Sequence, residues 1–388
     1  MDFTFSEDQL EIKRAIEKLC EKYDDAYWLD RDRNGGFPED FVKDLAGGGW
    51  LGVAMPQDVG GAGLGVTEAA LMMQTIAASG AGMSGVSAVH INLFGPMPIV
   101  VFGTPEQKQR FLPPLIRGED RCCFGVTEPN AGLDTTHLEC RAEWDGSHYV
   151  VHGQKMWTST AQTANKILLI ARTTPLDQTE KASDGLSLFY TDLNRDFVEV
   201  QEIEKMGRKA VDSNALFIDG LRIPKEDLIG EEGKGFKYLL HGLNPERVLV
   251  GAEGVGIGMA ALERAANYAR DRVVFGRPIG QNQAIQHPLA RNWMELEAAN
   301  LMVFKAASLY DRGQSCGAEA NSAKYLGGEA GFRACEQAVM THGGMGYAKE
   351  YHVERLFREV MVARIAPVSR EMILSFVAER VLDLPKSY

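Results

Sequence analysis

The period of the hydrophobic pattern changes twice along this chain, and those two changes constrain the fold more than any single motif does. Up to about residue 120 apolar residues recur at helical spacing. In "FSEDQLEIKRAIEKLCEKY" they form one stripe through Leu10, Ala15, Ile16 and Leu19. Ser6 followed by Gln9 reads as a capping box, with Phe5 and Leu10 placed as a hydrophobic staple. From about 121 the segments "HYVVHG", "KILLIART", "LSLFYTDL" and "ALFIDGLRIP" are short and rich in β-branched and aromatic residues, as strands are. Asp145-Gly146 before the first of them is a hairpin-type turn. After "IGEEGKGF" the helical period returns in long alanine-rich runs such as "GMAALERAANYARDR". The expected class is α+β, with a helical domain over 1–120, a β-domain over 121–230 and a second helical domain over 231–388. Gly254 and Gly258 lie one turn apart on one helix face, where backbones approach closely, either within the chain or across a subunit interface.

Bulk properties exclude several classes. A chain of 388 residues with net charge −12 has no general attraction for nucleic acid or anionic lipid. "MDFTFSEDQL" lacks the pattern of a secretory signal, and no run of roughly 18 consecutive apolar residues predicts a membrane span. Six cysteines without a CxxC pair or a metal spacing predict buried, reduced thiols and a cytoplasmic location. No metal site is expected. "GVGIG" (254–258) and "GEEGKG" (230–235) fail as nucleotide loops. The first lies in a helical pattern with no strand before it, and the second has Gly235 where magnesium would need Ser or Thr.

Four segments carry the chemistry: "CFGVTEPNAGLDTT" (123–136), "VVHGQKMWTSTAQTAN" (150–165), "ARDRVVFGRPIGQNQAIQ" (269–286) and "THGGMGYAKEYHVERLFRE" (341–359). In this order and spacing they resemble the acyl-CoA dehydrogenase family, and the likeness runs through the whole chain. The resemblance implies that family's fold: an N-terminal helical domain, a central β-domain and a C-terminal four-helix bundle. It implies non-covalent FAD and α,β-dehydrogenation of an acyl-CoA in fatty-acid or branched-chain catabolism. It further implies electron delivery to an electron-transferring flavoprotein and a homotetramer built as a dimer of dimers.

By the same resemblance Phe124, Val126, Thr127 and Gly132 lie along the flavin. Trp157 packs beside its ring system, and Ser159 lies near the N5 atom. Arg272, Phe275 and Gln283 meet the FAD of a neighbouring subunit, while Gly343 and Gly344 admit close backbone approach. Ser369 and Glu371 complete the FAD positions. Leu133 stands where the family commonly has a serine, so that contact is lost or replaced, with Thr135 and Thr136 nearby. Ser87 and His90 fall at the far end of the acyl pocket, and their polarity suggests a bounded or polar-tailed acyl group. For His90 a hydrogen-bonded structural histidine is the favoured reading.

The reaction needs a carboxylate to take the α-proton. Many family members carry it in a Tyr-Glu-Gly-Thr stretch near the C-terminus. This chain has Ala366-Pro367-Val368-Ser369 there, and proline offers neither a base nor a backbone N–H to polarise the thioester. A second branch of the family, typified by isovaleryl- and long-chain acyl-CoA dehydrogenases, places its glutamate at the start of the first long C-terminal helix. "HGLNPERVLVGAE" puts Glu246 and Arg247 in that register. Asn244 as N-cap and Pro245 at the first helical position would make Glu246 a helix-dipole residue as well. Small Ala366 leaves room for a wide acyl group. The alternatives are a same-fold flavoenzyme of other chemistry, such as a desulfinase or oxidase, and a non-catalytic acyl-CoA- or flavin-binding protein.

Overall fold

The computed structural model describes residues 4–387. Seven helices open the chain: α1 (Glu7–Cys20), α2 (Asp25–Asn34), α3 (Glu39–Gly47), α4 (Val66–Ile76), α5 (Gly82–Phe94), α6 (Met97–Phe102) and α7 (Pro105–Ile116). The capping box forms as expected. Ser6 accepts from the Gln9 backbone, and the Gln9 side chain accepts from Ser6. Phe5 meets Phe304 edge to face at 4.8 Å.

Strands follow: β1 (Cys122–Gly125), β2 (Arg141–Trp144), β3 (His148–Ser159), β4 (Lys166–Arg172), β5 (Leu186–Asp192), β6 (Val198–Glu202), β7 (Ser213–Pro224) and β8 (Leu228–Ile229). They form one sheet in the order β6-β7-β3-β2-β4-β5-β8, with β1 added in parallel to β4. The run in "KILLIART" is unbroken because both faces of β4 are covered. Ile167 and Leu169 join one core with Val151 and Phe189. Leu168 and Ile170 join another with Phe111 and Leu115 of α7.

The last region holds α8 (Gly235–His241), α9 (Leu243–Asp271), a two-strand hairpin of β9 (Val273–Val274) and β10 (Arg277–Pro278), α10 (Gln283–Asp311), α11 (Gly317–His342), α12 (Val353–Val360), α13 (Val362–Ile365) and α14 (Arg370–Arg380). The glycine faces pack within the chain. A Cβ on Gly254 would lie 2.7 Å from the Gly327 carbonyl oxygen, and one on Gly258 would lie 2.9 Å from Gly331 Cα. A methyl group at either position forces the backbones apart, which costs about 1–3 kcal/mol. The two helical regions share one core, running from Ile16, Trp28 and Met72 to Val248, Val303 and Leu356.

One stretch among the described residues, Val66–Phe102, is long and apolar enough to cross a membrane, but 72% of its most apolar window is buried inside the protein. It is also broken by a π-turn over Ala77–Ala81, where Gly80 has φ +99°. It therefore reads as a core element of the fold.

Candidate active site

Side chains of α5, the start of α9 and the end of β3 meet at one site: Arg208 bonds Ser87 and Ser159, and His90 bonds Glu253. The β-side of this site begins with a local defect in the sheet. The pairing of β3 with β7 slips between Lys155 and Thr158, and within that bulge Trp157 has φ +59°. The bulge turns the indole out of the sheet, leaving it 57% exposed. Beneath it, buried Lys155 donates to the Val126 carbonyl at 3.1 Å and to Glu128 at 2.7 Å. Glu128 also accepts from the backbones of Glu139 and Cys140, so the pair anchors the Val126-Thr127-Glu128 turn. The Thr127 carbonyl accepts from Met156 at 2.8 Å. Phe124 is half-buried at the end of β1, and Gly132 lies in the exposed turn beyond Glu128.

On the helical side Glu246 is 5% exposed in the first turn of α9. Its Oε2 is buried and has no hydrogen-bond partner. Among the described residues no other buried carboxylate oxygen is in that position. Burial pushes the Glu246 carboxyl up to about 7, against the pull of His90 and Arg247. His90 Nδ1 lies 2.6 Å from Glu253 Oε1. Burial works against its charge, but Glu253 prevails and holds the imidazolium pKa above the ordinary value. Lys324 of α11 is 1% exposed and donates to the Val368 carbonyl at 2.6 Å. Burial lowers that ammonium to about 8, with Glu246 opposing.

The start of α9 differs from the expected cap. The helix begins at Leu243 with Gly242 before it, because α8 runs into α9 with Gly242 already helical at φ −76° and ψ −13°. Asn244 is therefore inside the first turn. Its side chain accepts from Arg247 at 3.0 Å rather than capping. Pro245 still does no harm there, since first-turn N–H groups have no intrahelical acceptor. The Arg247 Nε is buried without a partner.

The remaining positions sort by place. Ser87 is buried on α5 and accepts from Arg208 at 3.0 Å. Ala366 is half-buried in the loop before α14, next to exposed Pro367. Ser369 caps α14, accepting from the Met372 backbone at 3.3 Å, and exposed Glu371 pairs with Arg370 at 2.7 Å. Arg272 ends α9 just before the β9–β10 hairpin, Phe275 stands in the hairpin turn, fully exposed at φ +54°, and Gln283 opens α10 after it. A Cβ built on Gly132, Gly343 or Gly344 meets nothing within 4 Å. Leu133 is exposed. Of its two neighbours, Thr136 has its hydroxyl bonded to Asp134 at 2.8 Å.

Four participants escaped sequence reasoning: Lys324, Glu253, Lys155 and Arg208. A signal existed for two. Lys324 and Glu253 sit in "NSAKYLGGEAG" and "VGAEGVGIG", beside the glycines of tightly packed helix faces, where a charged side chain must be buried. Lys155 reads as one polar residue among several in "GQKMWTS". Nothing local marks Arg208.

Family models for the N-terminal, middle and C-terminal domains of acyl-CoA dehydrogenases match residues 6–119, 123–221 and 233–382. The chain is 37% identical over 388 residues to the acyl-CoA dehydrogenase FadE12 of Mycobacterium tuberculosis, covering 100% of this chain and 99% of that protein. It is 32% identical over 366 residues to the caffeyl-CoA reductase-Etf complex subunit CarC of Acetobacterium woodii, covering 93% and 94%. Butyryl-CoA dehydrogenase from Megasphaera elsdenii superposes with a TM-score of 0.93 at 29% identity, covering 98% of this chain and all of that one. The chain belongs to the acyl-CoA dehydrogenase family, and it is an enzyme whose cofactor is FAD. The residues suit that group: a flat indole stands out of the sheet, exposed Arg272 offers phosphate chemistry, and open glycine positions admit a close approach.

Proposed function

We propose that the enzyme converts an acyl-CoA thioester to the 2-enoyl-CoA, with Glu246 as the base. The observation that carries this reading is the buried, partnerless Oε2 of Glu246. A carboxylate held away from water, with its pKa near 7, can take a weakly acidic proton at working pH. The α-carbon gives its proton to Glu246, and the β-hydrogen leaves with its electron pair. FAD, when bound, supplies the acceptor for that hydride. Trp157 gives the site a flat apolar wall for the flavin to pack against. Arg247 and the His90–Glu253 pair set the field around Glu246.

Pro367 lacks an N–H for the thioester oxygen, and the Ala366–Ser369 loop holds no carboxylate, which favours Glu246 over that loop as the seat of the base. An electron-transferring flavoprotein is the proposed electron acceptor, in keeping with a relative named as a subunit of an Etf complex. A homotetramer is proposed from the apolar side chains left open on the hairpin and α10, among them Val273, Phe275, Trp293, Met294 and Leu301. Anaerobic titration of the FAD-loaded enzyme with a panel of acyl-CoAs tests the reaction. At least one thioester should bleach the flavin band, and its CoA product should carry a 2,3-double bond. Failure of every thioester to bleach the flavin would sink the reading, and steady oxygen consumption without an added acceptor would make the enzyme an oxidase.

A further inference from the structure

The loop between β6 and β7 carries Arg208 in a left-handed backbone conformation, φ +58°, which costs a bulky residue energy and persists only where the surroundings impose it. The side chain reaches α5 and the facing ends of β3 and β7. One terminal nitrogen donates to Ser87 Oγ of α5 at 3.0 Å. The other donates to Ser213 Oγ at 3.1 Å and to Ser159 Oγ at a long 3.4 Å. All three partners are neutral hydroxyls. A guanidinium has five N–H donors, so these three bonds leave two unused, Nε–H among them.

No carboxylate pairs with it. The acids that reach Arg208 through space are Glu359, Glu253 and Asp212, and each is committed elsewhere. Glu359 accepts from Ser84, Glu253 is bonded to His90, and Asp212 accepts from Asn214 and the Gln162 backbone. Arg172, a buried arginine that also lacks an ion pair, makes a useful contrast. Its guanidinium is spent on backbone carbonyls of Leu138, Thr136, Ala182, Asp184 and Thr174. Arg172 is a structural tie. Arg208 is a half-buried cation with spare donors and no counter-ion, which leaves it free to receive an anion. The free Nε–H and the nitrogen that holds the long Ser159 bond share one edge of the guanidinium, the edge that takes a carboxylate side-on. Exposed Arg117 grips Glu119 in that way.

We propose that Arg208, with Ser87, receives a carboxylate at the far end of the acyl group, so that the enzyme acts on CoA thioesters of short dicarboxylic acids. This rests on the reading of the region around Glu246 as the acyl-thioester site. The charge layout agrees with it. His90 feels the charge of both Glu246 and Arg208, so the proposed base and the proposed anion receptor lie within electrostatic reach of one imidazole. A thioester whose α-carbon meets Glu246 then points its tail along α5 toward Ser87 and Arg208.

The test compares short straight-chain acyl-CoAs with their ω-carboxyl counterparts of equal chain length, on FAD-loaded wild-type enzyme and on Arg208→Met and Arg208→Lys. The wild type should favour the ω-carboxyl series in kcat/KM by about tenfold or more. Arg208→Met should shift the ratio of the two series by about 10²-fold toward the methyl-ended chains, through KM more than kcat, and Arg208→Lys should restore part of the shift. Equal losses on both series, or a changed flavin spectrum or FAD content, would assign the guanidinium to the cofactor and overturn the proposal. A wild-type preference for methyl-ended chains would overturn it as well. If no thioester bleaches the flavin, the dehydrogenase reading fails on its own. Calorimetric binding of the same matched pairs to wild type and Arg208→Met then decides the tail reading, supporting it if the ω-carboxyl preference depends on Arg208 and overturning it if no such preference exists.

Discussion

Two buried carboxylates in this protein, Glu128 in the β-domain and Glu246 at the start of α9, receive opposite treatment. Glu128 Oε1 accepts from Lys155 at 2.7 Å and from the Cys140 backbone at 3.0 Å, and its Oε2 accepts from the Glu139 backbone at 2.6 Å. Every strong acceptor site is used, and the result is a fixed turn beneath Trp157. Glu246 is as deeply buried, yet its Oε2 has no partner, and burial holds its pKa near 7. A buried charge that is fully bonded reports architecture, whereas one left open is retained at a cost that only a ligand or a reaction explains.

The largest expected effect breaks the comparison from the Glu246 side. Glu246→Gln should slow flavin bleaching by about 10²–10⁴-fold while FAD stays bound. It should also stabilise the protein, with a sign that depends on pH. The folded pKa near 7 lies above the ordinary 4.5, so the folded state holds its proton more tightly than the unfolded chain does. Stability therefore falls as pH rises from 4.5 to about 7, and above that the full penalty stands, at most about 3 kcal/mol. Thermal melts should show Glu246→Gln above wild type in Tm beyond pH 7 and level with it below pH 4.5. A variant that melts lower at high pH would make Glu246 a structural acid.

The second effect comes from the other carboxylate. Lys155→Met leaves Glu128 charged and buried without its cation, and should cost about 3–5 kcal/mol in chemical denaturation. Combining it with Glu128→Gln should recover much of that loss, because the remaining group is neutral. If the single variant is as stable as wild type, the two carboxylates do not differ in the way argued.

The two were not equally legible in the sequence. The helix–strand–helix order follows from period alone, since an amphipathic stripe and a run such as "KILLI" leave little choice of element. Glu246 was legible through register with a family motif, but its orphaned oxygen was not, because that state depends on residues of α5 and α11 far away in the chain. The helix start was misplaced for a local reason: Asn-Pro-Glu looks like a cap, yet α8 flows into α9 without a break and Asn244 bonds Arg247 instead. Lys155 alternates like any strand residue, and only the three-dimensional placement of Glu128 reveals that it is buried. Arg208 depends on one left-handed backbone angle, for which an arginine codon carries no signal.

The smallest effect sharpens the comparison rather than breaking it, and it concerns Lys324, which stands to Glu246 as Lys155 stands to Glu128 but at longer range. Lys324 gives its hydrogen bond to the Val368 carbonyl, not to the glutamate, so it lowers the Glu246 pKa through space without satisfying the open oxygen. Removing the cation with Lys324→Met should move the Glu246 pKa further above 7. The rising limb of the pH–rate profile should shift to higher pH, with most of the rate regained at alkaline pH. In the wild type the ammonium itself loses its charge near 8, so the coupling fades just above the pH at which the base ionises. Loss of the bond to Val368 should cost only about 1 kcal/mol of stability. A pH–rate limb that stays in place, or moves to lower pH, would mean that Lys324 serves the loop before α14 alone and that Glu246 is tuned only by burial, His90, Arg247 and Glu253.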